Sequence, residues 1–65
     1  MTLTLTELRL DAGFSIQALS KEAGVSASTI SRLERGLVAP TLLTAHRIAK
    51  ALGTTAERIE FGGRQ

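Results

Sequence analysis

Four glycines divide the 65-residue chain into short segments, and this division limits the possible folds more than any other feature. Gly13, Gly24, Gly36 and Gly53 each follow a segment whose apolar residues have helical spacing, and a serine or threonine follows each glycine within a few positions. Glycine readily adopts the positive φ that ends a helix, and a hydroxyl side chain caps the start of the next helix. The glycines therefore predict five short helices.

Apolar pairs around the predicted helix starts support this division. A large apolar residue before a cap packs against another at the fourth helical position as a hydrophobic staple. Three predicted caps, Thr4, Ser15 and Ser26, have such pairs, which are Leu3 with Leu8, Phe14 with Leu19 and Val25 with Ile30. Thr41 is predicted to cap the fourth helix, and Thr54 to Glu57 has the sequence of a capping box for the fifth. The alternative for "TLTL" at residues 2–5 is a strand, but the run is short and has no evident partner run.

The composition favours one small aliphatic domain over residues 1–65 and disfavours several kinds of site. A domain of this size buries only about 60% of its unfolded surface, so a large catalytic cleft is not expected. There is no cysteine and one histidine, His46, so neither a metal nor a cofactor is expected, and no nucleophile–base pair indicates an enzyme. The chain has no Trp or Tyr on which single-stranded nucleic acid would stack. Without a signal pattern or a membrane-length apolar run, a cytoplasmic protein that contacts no membrane is expected.

The second and third predicted helices have the layout of a helix-turn-helix. Residues 15–36 read "SIQALSKEAGVSASTISRLERG", in which a turn at Gly24 separates two helical segments. The small side chain of Ala23 allows the two helices to approach closely. On the second helix, Ile30 and Leu33 are predicted to point into the core.

The opposite face of that helix carries small, hydroxyl and cationic side chains. Its residues are Ala27, Ser28, Ser31, Arg32 and Arg35, which share one side at helical spacing. Short side chains let a helix enter the DNA major groove, hydroxyls bond base edges or phosphates, and an arginine can bond both acceptors of a guanine. The free N–H groups after Ser26 suit a phosphate.

These segments together resemble the DNA-binding domain of the lambdoid phage repressor and Cro family, the xenobiotic-response-element type of bacterial regulators. The resemblance covers residues 5 to about 60 and rests on "LxxLR" at 5–9, "GVSxSTISRxERG" at 24–36, Pro40, and "RIAKALG" at 47–53. It implies an all-α, compact five-helix domain of the lambda-repressor type. It also implies a sequence-specific regulator of transcription that binds double-stranded DNA, expected here to be a repressor that acts as a dimer on an inverted repeat.

The resemblance also assigns roles to individual residues. Those matching Ala27, Ser28, Ser31 and Arg32 face base edges in the family, and those matching Ser26 and Arg35 lie near phosphates. Arg9 and Glu34 match a partly buried ion pair that orients the recognition helix. Three residues keep a simpler alternative: Ala27 as a helix former only, Arg32 as a solvated surface residue, and Arg35 as a charge that favours the helix end.

Two departures from the family pattern affect the expected contacts. Ile16 stands where the family usually has a glutamine that contacts phosphate, so Gln17 is a substitute candidate, and Lys21 is the surface lysine expected nearest the DNA backbone. The loop after the recognition helix reads Leu37, Val38, Ala39 instead of polar or basic residues. The favoured interpretation folds Leu37 or Val38 onto the fourth helix as core, and the alternative is an apolar patch that contacts another protein.

A homodimer is expected because one helix-turn-helix reads few base pairs. Leu52, Ile59 and Phe61 are candidates for the interface, with filling of the core as the competing interpretation, and residues 62–65 are expected to be a flexible tail. A second functional hypothesis is a protein-interaction module, such as an antitoxin that binds a toxin, or an antirepressor that binds a competing regulator.

Overall fold

The computed structural model describes residues 3–61 and contains four α-helices. These are α1 (Leu5–Asp11), α2 (Ile16–Ala23), α3 (Ala27–Glu34) and α4 (Leu42–Ala51). A single 3₁₀ turn (Ala56–Arg58) follows α4, and two short strands, β1 (Leu3–Thr4) and β2 (Ile59–Glu60), lie at the two ends of the described range. The predicted tail at 62–65 lies outside it.

The predicted starts of the four α-helices are confirmed. Thr4, Ser15, Ser26 and Thr41 each accept a hydrogen bond from a first-turn N–H of the helix that follows. At α1 the capping box is complete, because the Thr4 Oγ1 accepts from the Glu7 N–H at 3.1 Å and the Glu7 carboxylate accepts from the Thr4 N–H at 2.9 Å. Each cap satisfies a donor that a helix leaves open at its first turn.

The prediction of a fifth helix is wrong. After Gly53 the chain forms only the three-residue 3₁₀ turn, and Thr55, which precedes this turn, makes no side-chain capping bond to it. Past the turn, the backbone of Ile59 and Glu60 is extended and pairs with β1. Because so short a helix has little stability of its own, hydrogen bonds to a strand take the place of further helical turns.

The prediction of an all-α fold is therefore also wrong in one detail. β1 and β2 pair in parallel, with Leu3 opposite Ile59 and Thr4 opposite Glu60. The strand alternative for residues 2–5 holds for Leu3 and Thr4, and the partner run lies at the far end of the sequence. The strand pair joins the two ends of the described chain beside α1.

The core is built from one or two large side chains of each helix. Five of them are almost completely buried, namely Leu5, Leu19, Ile30, Leu33 and Ile48. α2 packs against both α3 and α4, and α1 packs against α3. Since α3 supplies two of the five, its inner side is fixed by the core, and the orientation of its outer side is fixed with it.

Two predictions about apolar residues are corrected by burial. Ile59, a candidate for the dimer interface, is only 6% exposed because it packs in the core of its own chain, and the half-buried Leu52 and Phe61 pack against that same core. Filling of the core, the competing interpretation, describes Ile59. The favoured interpretation of the loop after α3 is wrong, since Leu37 is 63% exposed and Val38 39%. Both stay outside because α4 already fills its inner side with Ala45, Ile48 and Ala49.

None of the helices within residues 3–61 is long and apolar enough to cross a membrane.

Candidate nucleic-acid interface

A tight turn sets the angle between α2 and α3. Gly24 ends α2 in the left-handed region at φ 70°, and the N–H groups of Gly24 and Val25 both donate to the Ser20 carbonyl, at 2.9 and 3.2 Å. Ala23, 8% exposed, lies in the core at this corner, where a larger side chain would push the helices apart. The turn and the small residue beside it together place α3 against α2.

The outer side of α3 has the composition expected from the sequence. Ser28, Arg32 and Arg35 are exposed, and Ala27 and Ser31 are half-buried, whereas Ile30 and Leu33 on the inner side are fully buried. Arg32 and Arg35 take part in no ion pair with any residue between 3 and 61. The structure therefore brings all five predicted residues to one accessible surface that ends in two cationic side chains.

The start of α3 combines a closed cap with open backbone donors. The Ser26 Oγ accepts from the Thr29 N–H at 3.1 Å and donates to the Thr29 Oγ1 at 2.8 Å. The hydroxyl hydrogen of Ser26 is thus already used within the chain. The N–H groups of Ala27 and Ser28 have no acceptor inside the helix, so they remain able to bind an anion.

Arg9 and Glu34 form the ion pair that the resemblance implies. The Arg9 Nε donates to the Glu34 Oε2 at 2.5 Å and the Nη2 to the Oε1 at 3.2 Å, while the Nη1 donates to the Phe14 carbonyl at 2.9 Å. The two side chains are only 11% and 9% exposed. One guanidinium therefore joins α1, the loop before α2 and the last turn of α3.

Two further candidates lie on α2. Gln17 and Lys21 are both exposed and stand four residues apart, so they share one side of the helix. Ile16 is half-buried and packs against the core. Ile16 therefore contributes to the packing of the core, and the neighbouring Gln17 is an exposed polar side chain at this end of α2.

The sequence also matches a known protein family. A family model described as "Helix-turn-helix" matches residues 5–59, which is most of the chain. The chain belongs to the Cro/C1-type helix-turn-helix family. DNA binding and regulation of transcription follow from this membership, and α3 is the second helix of the motif in this helix-turn-helix protein.

Two curated proteins are similar to this helix-turn-helix chain. One is an uncharacterized HTH-type transcriptional regulator of Methanothermobacter thermautotrophicus, 42% identical over 53 residues, which cover 82% of this chain and 77% of that protein. The other is the uncharacterized HTH-type transcriptional regulator YgzD of Bacillus subtilis, 36% identical over 53 residues, which cover 82% of this chain and 80% of that protein.

Two contacts that hold α3 of this helix-turn-helix protein were not predicted from the sequence. The first is the Phe14 carbonyl that accepts from Arg9, a backbone group to which no residue type points. The second is the bond between the hydroxyls of Ser26 and Thr29. The three-residue spacing of two hydroxyl residues at a helix start is a signal that could have revealed it.

The structure brings together no other kind of site at this surface. Within residues 3–61, no three His, Asp or Glu side chains lie close enough to hold a metal ion. His46 is exposed on α4, outside the helix-turn-helix. The outer surface of α2 and α3 thus presents hydroxyls, an amide, cationic side chains and backbone donors, which are groups that bond phosphates and base edges.

Proposed function

We propose that this protein is a repressor that binds an inverted-repeat operator as a homodimer and acts by occupying the promoter. The observation that carries this proposal is the outer side of α3, where short hydroxyl side chains precede the exposed Arg32 and Arg35. Such a helix can enter the major groove without steric obstruction. No chemical step is assigned to the protein, which acts by binding alone.

The roles proposed for the individual side chains follow from their chemistry and position. Arg32 bonds the two major-groove acceptors of a guanine, and Ser28 and Ser31 bond base edges beside it. The methyl group of Ala27 contacts a thymine methyl. Four groups at the edges of this surface hold phosphates: the side chains of Gln17, Lys21 and Arg35, and the backbone N–H groups that follow Ser26.

The dimer is proposed because of the size of the module. One helix-turn-helix reads too few base pairs for a unique site, and family dimers place their recognition helices about 34 Å apart. This chain measures 28 × 25 × 19 Å between its outer Cα atoms. The domain is comparable in size with that spacing, and the arrangement that we propose is two copies in direct contact.

Selection of bound duplexes from a random DNA pool at near-physiological salt tests the proposal. The expected result is an inverted repeat whose half-site centres lie about 10 bp apart. Weak binding to every sequence, with a steep dependence on salt, would show that the protein contacts phosphates without reading bases.

A second candidate function is a protein-interaction module, such as an antitoxin or antirepressor. The observation that favours it is the apolar loop after α3, in which Leu37 and Val38 are exposed where a DNA-contacting loop would carry polar or basic groups. Leu37→Ser with Val38→Ser separates the two functions. This double change leaves operator affinity unchanged if the loop contacts only protein, and it abolishes capture of a toxin or competing regulator.

A further inference from the structure

An open apolar groove of about 820 Å³ lies between α4 and the segment that follows it. One wall is a stripe of α4, and the other is the chain from Thr54 through the 3₁₀ turn. Its apolar members are of two sizes: the large Leu42 and Leu43 at the start of α4, and the small Ala49 and Ala56 further along.

The two leucines make almost no contribution to the core of their own chain. Leu42 is 86% exposed and Leu43 57%, whereas Ala45, Ile48 and Ala49 provide the inner side of the same helix. α4 is therefore apolar on two sides, and only one of them is covered within residues 3–61. Two large exposed leucines next to each other at a groove are a feature of contact surfaces.

The shape of the groove suits a second copy of the same chain. In a two-fold symmetric dimer, residue i of the first copy contacts residue j of the second, and residue j of the first contacts residue i of the second. The same surface must therefore carry both partners of each contact. This groove does so, because it has large apolar side chains at one end and small residues that leave space further along α4. The leucines of each copy can fill the space beside the half-buried Ala56 of the other, above the buried Ala49 of α4.

The charges of the groove show the same self-complementarity. Lys50 and Glu57 line it, and neither forms an ion pair with another residue in the described part of the chain. The backbone N–H of Glu57 and the Thr55 hydroxyl lower the pKa of the Glu57 carboxyl, so the group is charged at neutral pH. Across a two-fold axis, Lys50 of each copy can form an ion pair with Glu57 of the other copy.

We propose that this groove, defined by Leu42, Leu43, Lys50 and the 3₁₀ turn, is the surface through which two copies of the chain associate. The inference rests on the proposed homodimeric function and names its interface. None of the residues that line the groove belongs to α2 or α3. Association through the groove therefore leaves the outer side of α3 free for DNA in both copies.

Sedimentation equilibrium of the full chain without DNA tests the interface, with Leu42→Glu as the first variant. Leu42 is the first residue of α4, where a carboxylate is favourable to the helix dipole, so the variant chain keeps its fold. Leu10→Glu is the matched control, since Leu10 is also an exposed leucine (62%) but lies on α1, away from the groove. We expect Leu42→Glu to raise the dimer dissociation constant about tenfold or more and Leu10→Glu to leave it unchanged.

A charge exchange tests whether the occupant is the same chain. Lys50→Glu and Glu57→Lys should each weaken the dimer, because each places like charges opposite each other in two symmetric contacts. The double variant should recover most of the wild-type affinity, which no unrelated partner surface would produce. A double variant as weak as the two single variants would overturn the proposed pairing.

The outcomes separate this inference from the proposed function. A dimer that Leu42→Glu dissociates supports the groove even if no operator is selected from the DNA pool. A dimer that Leu42→Glu and Leu43→Glu leave intact overturns the groove and keeps the homodimeric repressor. A wild-type chain that stays monomeric at millimolar concentration overturns the groove even if a single half-site is selected.

Discussion

Removing one member of the Arg9–Glu34 pair should destabilise the domain strongly. Both side chains are about nine-tenths buried, and the guanidinium donates three hydrogen bonds, two of them to the carboxylate. Arg9→Met leaves the Glu34 carboxylate without its two donors, and Glu34→Leu leaves the guanidinium with only the Phe14 carbonyl. Loss of one partner of a buried pair costs about 3–5 kcal/mol.

This cost is large relative to the stability of so small a domain. At about 0.05–0.15 kcal/mol per residue, 65 residues correspond to a free energy of unfolding of roughly 3–10 kcal/mol. Each single variant should therefore lose at least about a third of the free energy of unfolding, and nearly all of it if the wild-type value lies at the low end of this range. The double variant Arg9→Met with Glu34→Leu leaves no buried charge, so most of the stability should return.

Urea denaturation followed by far-UV circular dichroism, arranged as a double-mutant cycle, measures both effects. If either single variant costs less than about 1 kcal/mol, the pair behaves as a solvated surface pair and our account of it is refuted. A refolded double variant that binds DNA less tightly would assign the pair to the orientation of α3.

Three further predictions concern the turn, the cap and the DNA-facing side of α2. Gly24→Ala should lower the free energy of unfolding, measured by thermal denaturation, by about 1–2 kcal/mol, because a residue with a Cβ is strained at φ 70° although that Cβ meets no atom within 4 Å. Gly24→Asn should lower it less, and equal losses for the two variants would refute the conformational explanation. Ser26→Ala should cost about 0.5–2 kcal/mol by the same method, since the Thr29 N–H loses its acceptor, and no change would mean that water replaces the cap. Lys21→Ala should reduce the slope of log affinity against log salt by about 1 on every duplex, whereas an effect confined to one sequence would contradict a phosphate contact.

Sequence patterns that span a few positions predicted the helix starts correctly, but they gave no indication of contacts between residues that are distant in the sequence. Ser15 and Ser26 stand immediately before the helices they cap, so their role is visible within a few positions. The partner of Leu3 is Ile59, at the other end of the described chain, and a two-residue strand is too short to show alternation. The expected fifth helix failed for the same reason, because its local capping pattern was overridden by this pairing.

The candidate site followed a similar division. The outer residues of α3 could be placed from helical spacing alone, whereas the pairing of Arg9 with Glu34 was available only through the family resemblance. No sequence signal distinguishes Leu42 and Leu43 from core residues, because only the fold shows that Ala45, Ile48 and Ala49 already supply the inner side of α4. The sequence shows how many apolar residues a helix has, but the fold decides which of them stay uncovered.

The most direct test of the central claim, that α3 reads bases, is the affinity of Arg32→Ala for the selected operator and for a scrambled duplex at one salt concentration. If Arg32 bonds a guanine, the ratio of the two affinities should fall by an amount equivalent to about 1–3 kcal/mol. The variant should also accept other bases at one position of each half-site. An equal loss of affinity for both duplexes would place Arg32 on a phosphate and contradict the claim.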